Sequence, residues 1–510
     1  MSSIGRHSVI TSIATISVLG IAAKLFGLLR EGVFAAYFGT SAEMDVFGLL
    51  TGYVTTLMAI LGSSLASSYS PLYVRNLQQR GEATAAARFS HLVNQFLLFT
   101  VFGYVLVFFV APIIAGYISK QTCGVAYSTV LLYTRLMFAT VITGGTTRLF
   151  VTALNGLRKY GWMQLTQILY SVLAIAMTFV FGKTIGIGVA VAAYVVNSVV
   201  QLALLWFVFF HGERRYECRV EIRDEETCYA WKSIIPIFLG TETYMLGLTI
   251  DRTIGLSLGM VGIAAALNYA GTLYGMVNTV VTSPIQTVFC TEMYRKYYKT
   301  EQRDVLYDDL GKIINHIAFI VIPIALFLTV TATDFITVVL RRGAFDGHSV
   351  SLTAACFCFY ALSTPFYAIR SLFTGVHIAL NDRKTPMWGG VIFLVANILL
   401  SFGLSRVIGI AGITLGAFGS VVISMLYQFF SLKKNHGYDR RFFTPPFLQI
   451  ALASIIAAVV AYFIQFMAGD VSVYARFVIS ALVFFGLYVG ILYLLKSEEI
   501  KIVYQAIIKK

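Results

Sequence analysis

The chain is a succession of long apolar runs. Fourteen segments, from one near 10–38 to one near 475–495, reach or approach the length of about 20 largely apolar residues that a membrane-spanning helix needs. Only 12% of the 510 residues are charged and 58% are hydrophobic, against roughly 25% and 45–50% in soluble globular chains. No water-soluble core could hide that much apolar surface, so soluble enzymes, disordered scaffolds and secreted disulfide domains are excluded. In lipid each segment must pair its own backbone groups. Strand-length alternating segments are absent, so the expected fold is an all-α polytopic membrane protein of about fourteen helices.

The net charge of +14 has to be located before it is interpreted. With the N-terminus in the cytoplasm, twenty-six Lys and Arg fall in cytoplasmic segments, six in outward loops and six inside helices. That bias predicts both termini on the cytoplasmic side and explains the basic balance without nucleic acid. The longest charged loop, 211–230, interleaves its arginines with Glu213, Glu217, Glu221, Asp224, Glu225 and Glu226, a poor track for a phosphate backbone. Arg6 and His7 precede an apolar segment with no small-residue cleavage site after it, which reads as a first span rather than a removable signal. Cys123, Cys218, Cys228, Cys290, Cys356 and Cys358 form no CxxC pair and have no His at metal spacing. Cys356 and Cys358 read as small buried hydrophobes.

The sequence echoes itself. Arg148-Leu-Phe through Ala153-Leu154-Asn155 to Arg158-Lys159 returns as Arg370-Ser-Leu-Phe through Ala379-Leu380-Asn381 to Arg383-Lys384, offset by 226 residues. Arg30-Glu31 ahead of Phe38-Gly39 is matched by Asp251-Arg252 ahead of Leu258-Gly259, offset by 220. Two six-helix lobes in parallel orientation, related by a pseudo-two-fold, explain both offsets. The expected organisation is an N-terminal lobe over 1–212, a cytoplasmic linker over 213–230, a second lobe over 231–432, and two extra spans with a cytoplasmic tail over 433–510. Repeats of this kind mark transporters, whose sites lie between the halves.

A charge near the bilayer centre costs about 2.5–3.5 kcal/mol even on lenient scales. Yet the apolar runs hold Lys24, Arg30, Glu31, Arg135, Arg148, Glu242, Asp251, Arg252, Arg370 and His377, with Asp45 at the mouth of the second. Structural ion pairs and snorkelling ends account for some of these; the Arg30-Glu31 and Asp251-Arg252 neighbours can neutralise each other. The sharper reading is a hydrated cavity whose Lys and Arg hold an anionic head group, Arg matching a diphosphate by bidentate hydrogen bonds. Acidic partners would balance the empty cavity or bind a coupling cation. Gly27, Pro236, Gly240, Gly247, Pro284 and Pro365 are candidate bend points.

The residues resemble the MviN/MurJ flippase family. Lys24-Leu-Phe-Gly-Leu-Leu-Arg30-Glu31, Tyr37-Phe38-Gly39 and Ala42-Glu43-Met44-Asp45 are similar to its opening. Asp251-Arg252 leading to Leu267-Asn268-Tyr269-Ala270, then Arg342-Gly343-Ala344-Phe345, then Ala379-Leu380-Asn381-Asp382-Arg383-Lys384-Thr385-Pro386 extend the likeness along nearly the whole chain. The resemblance implies the multidrug/oligosaccharidyl-lipid/polysaccharide exporter fold, with two lobes around a cationic cavity. It also implies a flippase of the bacterial inner membrane that moves an undecaprenyl-diphosphate-linked saccharide, peptidoglycan lipid II, to the outer leaflet.

The cavity set expected on these grounds is Lys24, Arg30, Glu31, Asp45, Arg148, Arg252 and Arg370. Lys24 and Glu31 stand where the family carries Arg and Asp. Two family arginines are missing, at Met58-Ala59 and at Gly271-Thr272, and Arg148 or Arg252 would have to compensate. Some members bind sodium through a corresponding Asp, Asn and second Asp; here these positions hold Asp251, Asn397 and Ser401, so Na+ or proton coupling is an expectation with a weakened ligand set. No resident cofactor is expected, and the chain reads as a monomer whose partners are lipids.

Three alternatives remain. Another lipid-linked unit of O-antigen or exopolysaccharide type is the close competitor. A cation-coupled drug antiporter of the same fold would want an acidic or aromatic cavity. A membrane glycosyltransferase would need carboxylates on a sizeable outward loop, and 332–349 offers only Asp334 and Asp346.

Overall fold

The computed structural model describes residues 3–122, 124–159, 161–221, 224–282, 290, 293–298, 302–439, 444–468, 471–497 and 499–500. Pro284 and Cys123 lie outside the described residues, as do Arg223, Lys299, Arg440, Arg441, Lys501, Lys509 and Lys510 of the cytoplasmic cations counted above and the tail beyond 500. The described elements are helices, as expected of chain segments that must satisfy their backbone in lipid.

In chain order they are α1 (Ser3–Phe38), α2 (Ala42–Leu57), α3 (Ser64–Gln121), α4 (Tyr127–Gly156), α5 (Trp162–Ile185), α6 (Gly188–Phe209), α7 (Glu225–Lys232), α8 (Ile234–Ile237) and α9 (Thr243–Leu256). There follow α10 (Ile263–Val277), α11 (Arg303–Val330), α12 (Ala332–Leu340), α13 (Gly347–Ala379), α14 (Lys384–Ile408), α15 (Ile410–His436), α16 (Pro445–Met467) and α17 (Val473–Leu494). Among the described residues, ten helices are long and apolar enough to cross a membrane, or eleven if the pair α7 and α8–α9, bent by 42°, counts as one span. The run from 42 to 121 is more than one crossing: Gly81, at φ 83° and ψ 172°, breaks α3 into two legs, a conformation open to glycine and costly for other residues. α2 passes into α3 through a π-helical turn, Met58–Ser63.

Two compact units divide the chain. The first comprises residues 1–265 and 342–345, the second 266–341 and 346–510. Within the first, α3, α4 and α6 are anchored by an aromatic nest. Phe89, Phe150 and Phe209 lie with ring centroids 4.8–5.5 Å apart, and Tyr73 packs edge-on to Phe89 at 5.7 Å. Each such pair is worth about 0.5–1.5 kcal/mol beyond the area it buries. The charged loop after α6 is folded back onto α3. Arg214 bonds Glu82 at 2.7 Å and the Phe209 carbonyl at 2.7 Å, and Asn94 donates to the carbonyls of Glu217 and Arg219.

Within the second unit, α14 and α15 form a tight hairpin at Gly409, and the first unit turns in the same way between α5 and α6 at Gly186. The two glycines share a backbone conformation, φ 62° and ψ −140° against φ 61° and ψ −143°, as an internal repeat requires. Of the candidate bends, Pro236 precedes a second π-helical turn, Phe238–Glu242, whereas α13 runs through Pro365 unbroken.

A cation-lined cavity in the first unit

The first unit encloses a cavity of about 150 Å³ between α4, α5 and α6. Arg148, Tyr170, Tyr194, Gln167, Asn197 and Gln201 give it a polar lining, and Met58 closes one side. The lining is organised by its own bonds: Gln201 donates to Thr166 Oγ1 at 2.8 Å, and Thr143 donates to Ser198 Oγ at 2.9 Å. α4 can present Arg148 here because glycines let neighbouring helices close in. A Cβ on Gly62 would stand 2.8 Å from the Cα of Gly145, the small-residue packing that membrane helices use.

α1 lies against α5 and places Arg30 behind Tyr170, a residue of the cavity lining. The Arg30 guanidinium stacks on the Tyr170 ring, 4.5 Å from its centroid, while Tyr170 meets Tyr194 edge-on at 6.1 Å. Arg30 Nη2 donates to Glu31 Oε1 at 2.6 Å. Its Nε and the second carboxylate oxygen, Glu31 Oε2, are buried with no hydrogen-bond partner among the described residues. A buried guanidinium with an unused N–H is an unmet cost unless something binds it. Lys24 is half-buried and close enough to Arg30 for the two cations to repel. Glu242 lies within the field of Arg148. Of the expected set, Arg148 lines the cavity, and Arg30 stands behind its Tyr170 wall with Glu31 and Lys24 as neighbours.

The other expected site residues are elsewhere. Asp45 is 1% exposed, and its two carboxylate oxygens accept from the backbone amides of Gly262 and Ala265 at 2.6 and 2.7 Å. Arg252, also buried, donates from Nη1 to the Gly48 carbonyl at 3.3 Å. It belongs to a seam in which α9 packs on α2 through Thr249 and Thr56, 2.8 Å apart. Asp251 is buried beside it in the first unit. In the second unit Arg370 donates to Ser424 Oγ at 2.9 Å and lies over Phe393. Asn397 and Ser401 are buried one turn apart on α14; Asn397 donates to Ser401 Oγ at 3.4 Å, and that hydroxyl donates to the Ile413 carbonyl at 2.9 Å.

Sequence reasoning missed Tyr170, Tyr194, Gln167, Asn197 and Gln201. In helices as apolar as α5 and α6, three amides were the available signal, two of them a turn apart on one face.

Residues 34–482 match the family described as "Lipid II flippase MurJ". The chain belongs to the MurJ lipid II flippase family. It is 24% identical over 467 residues to the lipid II flippase MurJ of Thermosipho africanus, covering 90% of this chain and 92% of that protein. It is 22% identical to the probable lipid II flippase MurJ of Rickettsia prowazekii, with 94% and 96% covered. Among solved structures, a MurJ in an inward closed conformation superposes with a TM-score of 0.78 at 20% identity, over 94% of this chain and 99% of that one. An inward-facing MATE-family multidrug transporter follows at 0.67 and 14% identity, over 84% and 98%. These likenesses establish the fold of the exporter superfamily. The chain is therefore a multi-pass membrane transporter of the MurJ family with a lipid-linked precursor as its substrate class.

Proposed function

We propose that this chain moves lipid II from the inner to the outer leaflet by alternating access, with Lys24, Arg30 and Arg148 holding the diphosphate. The observation that carries the assignment is Arg30: a buried guanidinium, half-paired and with an unused donor, stacked on Tyr170, which lines the polar cavity. A diphosphate supplies the missing acceptors, and charge-assisted bonds strengthen as water is excluded. Glu31 and Glu242 balance the empty cavity. Met58, at a position where the family resemblance expects an arginine, lines the same cavity as Arg148, which supports Arg148 as the compensating cation. Asp45 and Arg252 contribute by holding α2 to the 262–265 turn and to α9. Arg370 is retained as the buried cation of the second unit.

The charge bias supports insertion in the cytoplasmic membrane of a bacterium with both termini inside. In the second unit Asn397 and Ser401 offer an amide oxygen and a hydroxyl, too little negative charge by themselves for a hard cation. Expression in a strain depleted of its own lipid II flippase tests the cargo. Growth is the expected result; failure to grow with the protein stably inserted would overturn lipid II in favour of another lipid-linked glycan.

A further inference from the structure

Away from the cavity, the second unit brings together three polar side chains from separate segments. His377 lies in the last turn of α13 and is fully buried, Asp382 lies in the short loop 380–383, and His436 ends α15. Asp382 Oδ2 stands 3.2 Å from His377 Nδ1 and 3.1 Å from His436 Nε2. All three atoms lie within 4.8 Å of one another.

The far side of His377 fixes its chemistry. Nε2 lies 3.1 Å from the Gln428 carbonyl, which can only accept, so Nε2 carries the hydrogen. In the neutral ring Nδ1 is then a lone pair, and it faces a carboxylate oxygen that is itself a lone-pair atom. Such a pair, fully buried on the His377 side and partly buried at Asp382, calls for a positive centre. We propose that His377 Nδ1, His436 Nε2 and Asp382 Oδ2 bind a divalent transition-metal cation of the zinc class, with water completing a tetrahedron. Two imidazoles and a carboxylate are ligands such an ion takes. Bonds of 2.0–2.2 Å put neighbouring ligand atoms about 3.3 Å apart, close to the two separations found. The outer shell is built as well. The Gln428 carbonyl sets the tautomer, and Thr385 Oγ1 donates to Asp382 Oδ2 at 2.6 Å. The amides of Lys384 and Thr385 donate to Oδ1 at 3.1 Å. Outer partners of this kind orient metal ligands. The ion clips the ends of α13 and α15 to the loop between α13 and α14. At the 226-residue offset the first half carries Val151 and Gly156 in place of His377 and Asp382, so the site belongs to one half alone.

The test uses the full-length, tag-free chain in detergent, stripped with chelator and dialysed against Zn2+, with Co2+ as a spectroscopic probe. About one retained Zn2+ per chain and tetrahedral Co2+ bands are expected, with Mg2+ and Ca2+ not retained. His436→Ala and His436→Asn, chosen because His377 is too buried to remove safely, should weaken binding more than about tenfold. The proposal is overturned if Zn2+ is not retained, or if it is retained equally by both folded variants. It is also overturned if the chelated protein gains stability on acidification while binding no metal, since a doubly protonated His377 would then supply the positive centre.

Discussion

Asp45 shows what a buried charge is worth when its partners are backbone. It was legible in the sequence as a charge at the mouth of a span, but its partners, some 220 residues away, were not, because periodicity assigns a face and never a neighbour. Hydrogen bonds to charged groups contribute about 1.5–3 kcal/mol each, and Asp45 accepts two. Asp45→Ala should therefore cost about 2–5 kcal/mol and lower the thermal unfolding temperature in detergent, with Asp45→Asn intermediate. An unchanged unfolding temperature would remove it as an anchor. Arg30 and Glu31 were legible as an adjacent pair, and the structure adds that the pair leaves a donor unused. The His377–Asp382–His436 cluster was invisible, since its members follow no metal spacing and meet through the fold of α13 and α15.

At the scale of elements, apolar run length gave helix identity while the breaks within runs needed coordinates. The stretch 42–121 divides in the sequence at the polar residues 73–88, and the structure puts the backbone break itself at Gly81, whose positive φ separates the two legs. Close approach is the second feature composition cannot supply. Gly62 and Gly145 let α4 touch the π-helical turn, and a Cβ on Gly145 would come within 2.6 Å of Phe96 Cζ. Gly62→Val should reduce the yield of folded protein measured by size-exclusion chromatography, whereas the same change at Gly103, with open space around it, should not.

The short helix α7 carries an electrostatic test outside the spans. Glu226 accepts from Asn76 at 2.6 Å and Arg75 at 2.8 Å and lies 3.1 Å from Arg88. Partial burial raises its pKa, but these bonds and charges outweigh it and hold the carboxyl below its usual value. A group depressed in this way stabilises the fold above its unfolded pKa of about 4.3, and the contribution fades as the pH falls below that. Glu226→Gln should thus be less stable than the parent at pH 7 by up to about 1 kcal/mol, since Arg75 is half exposed, with the gap closing only as the pH falls below about 4. A gap independent of pH would assign the effect to packing.

For the whole molecule, the internal repeat read from two sequence echoes reappears as paired hairpins with matching glycine conformations at Gly186 and Gly409. The charge bias makes a separate claim: single cysteines introduced at Arg158 and Arg383 should be shielded from an impermeant thiol reagent added outside intact cells, and one at Arg341 should react. Reversed labelling would invert the orientation. The central claim is that a diphosphate is held by Arg148 in the first unit's cavity and by the cations behind its Tyr170 wall. Its most direct test is lipid II translocation in proteoliposomes by the purified parent, Arg30→Ala and Arg148→Ala, each first shown to be folded. Losing even one charge-assisted contact of about 1.5–3 kcal/mol should slow translocation by about tenfold to a hundredfold in each variant. Translocation at the parent rate by both would contradict the claim.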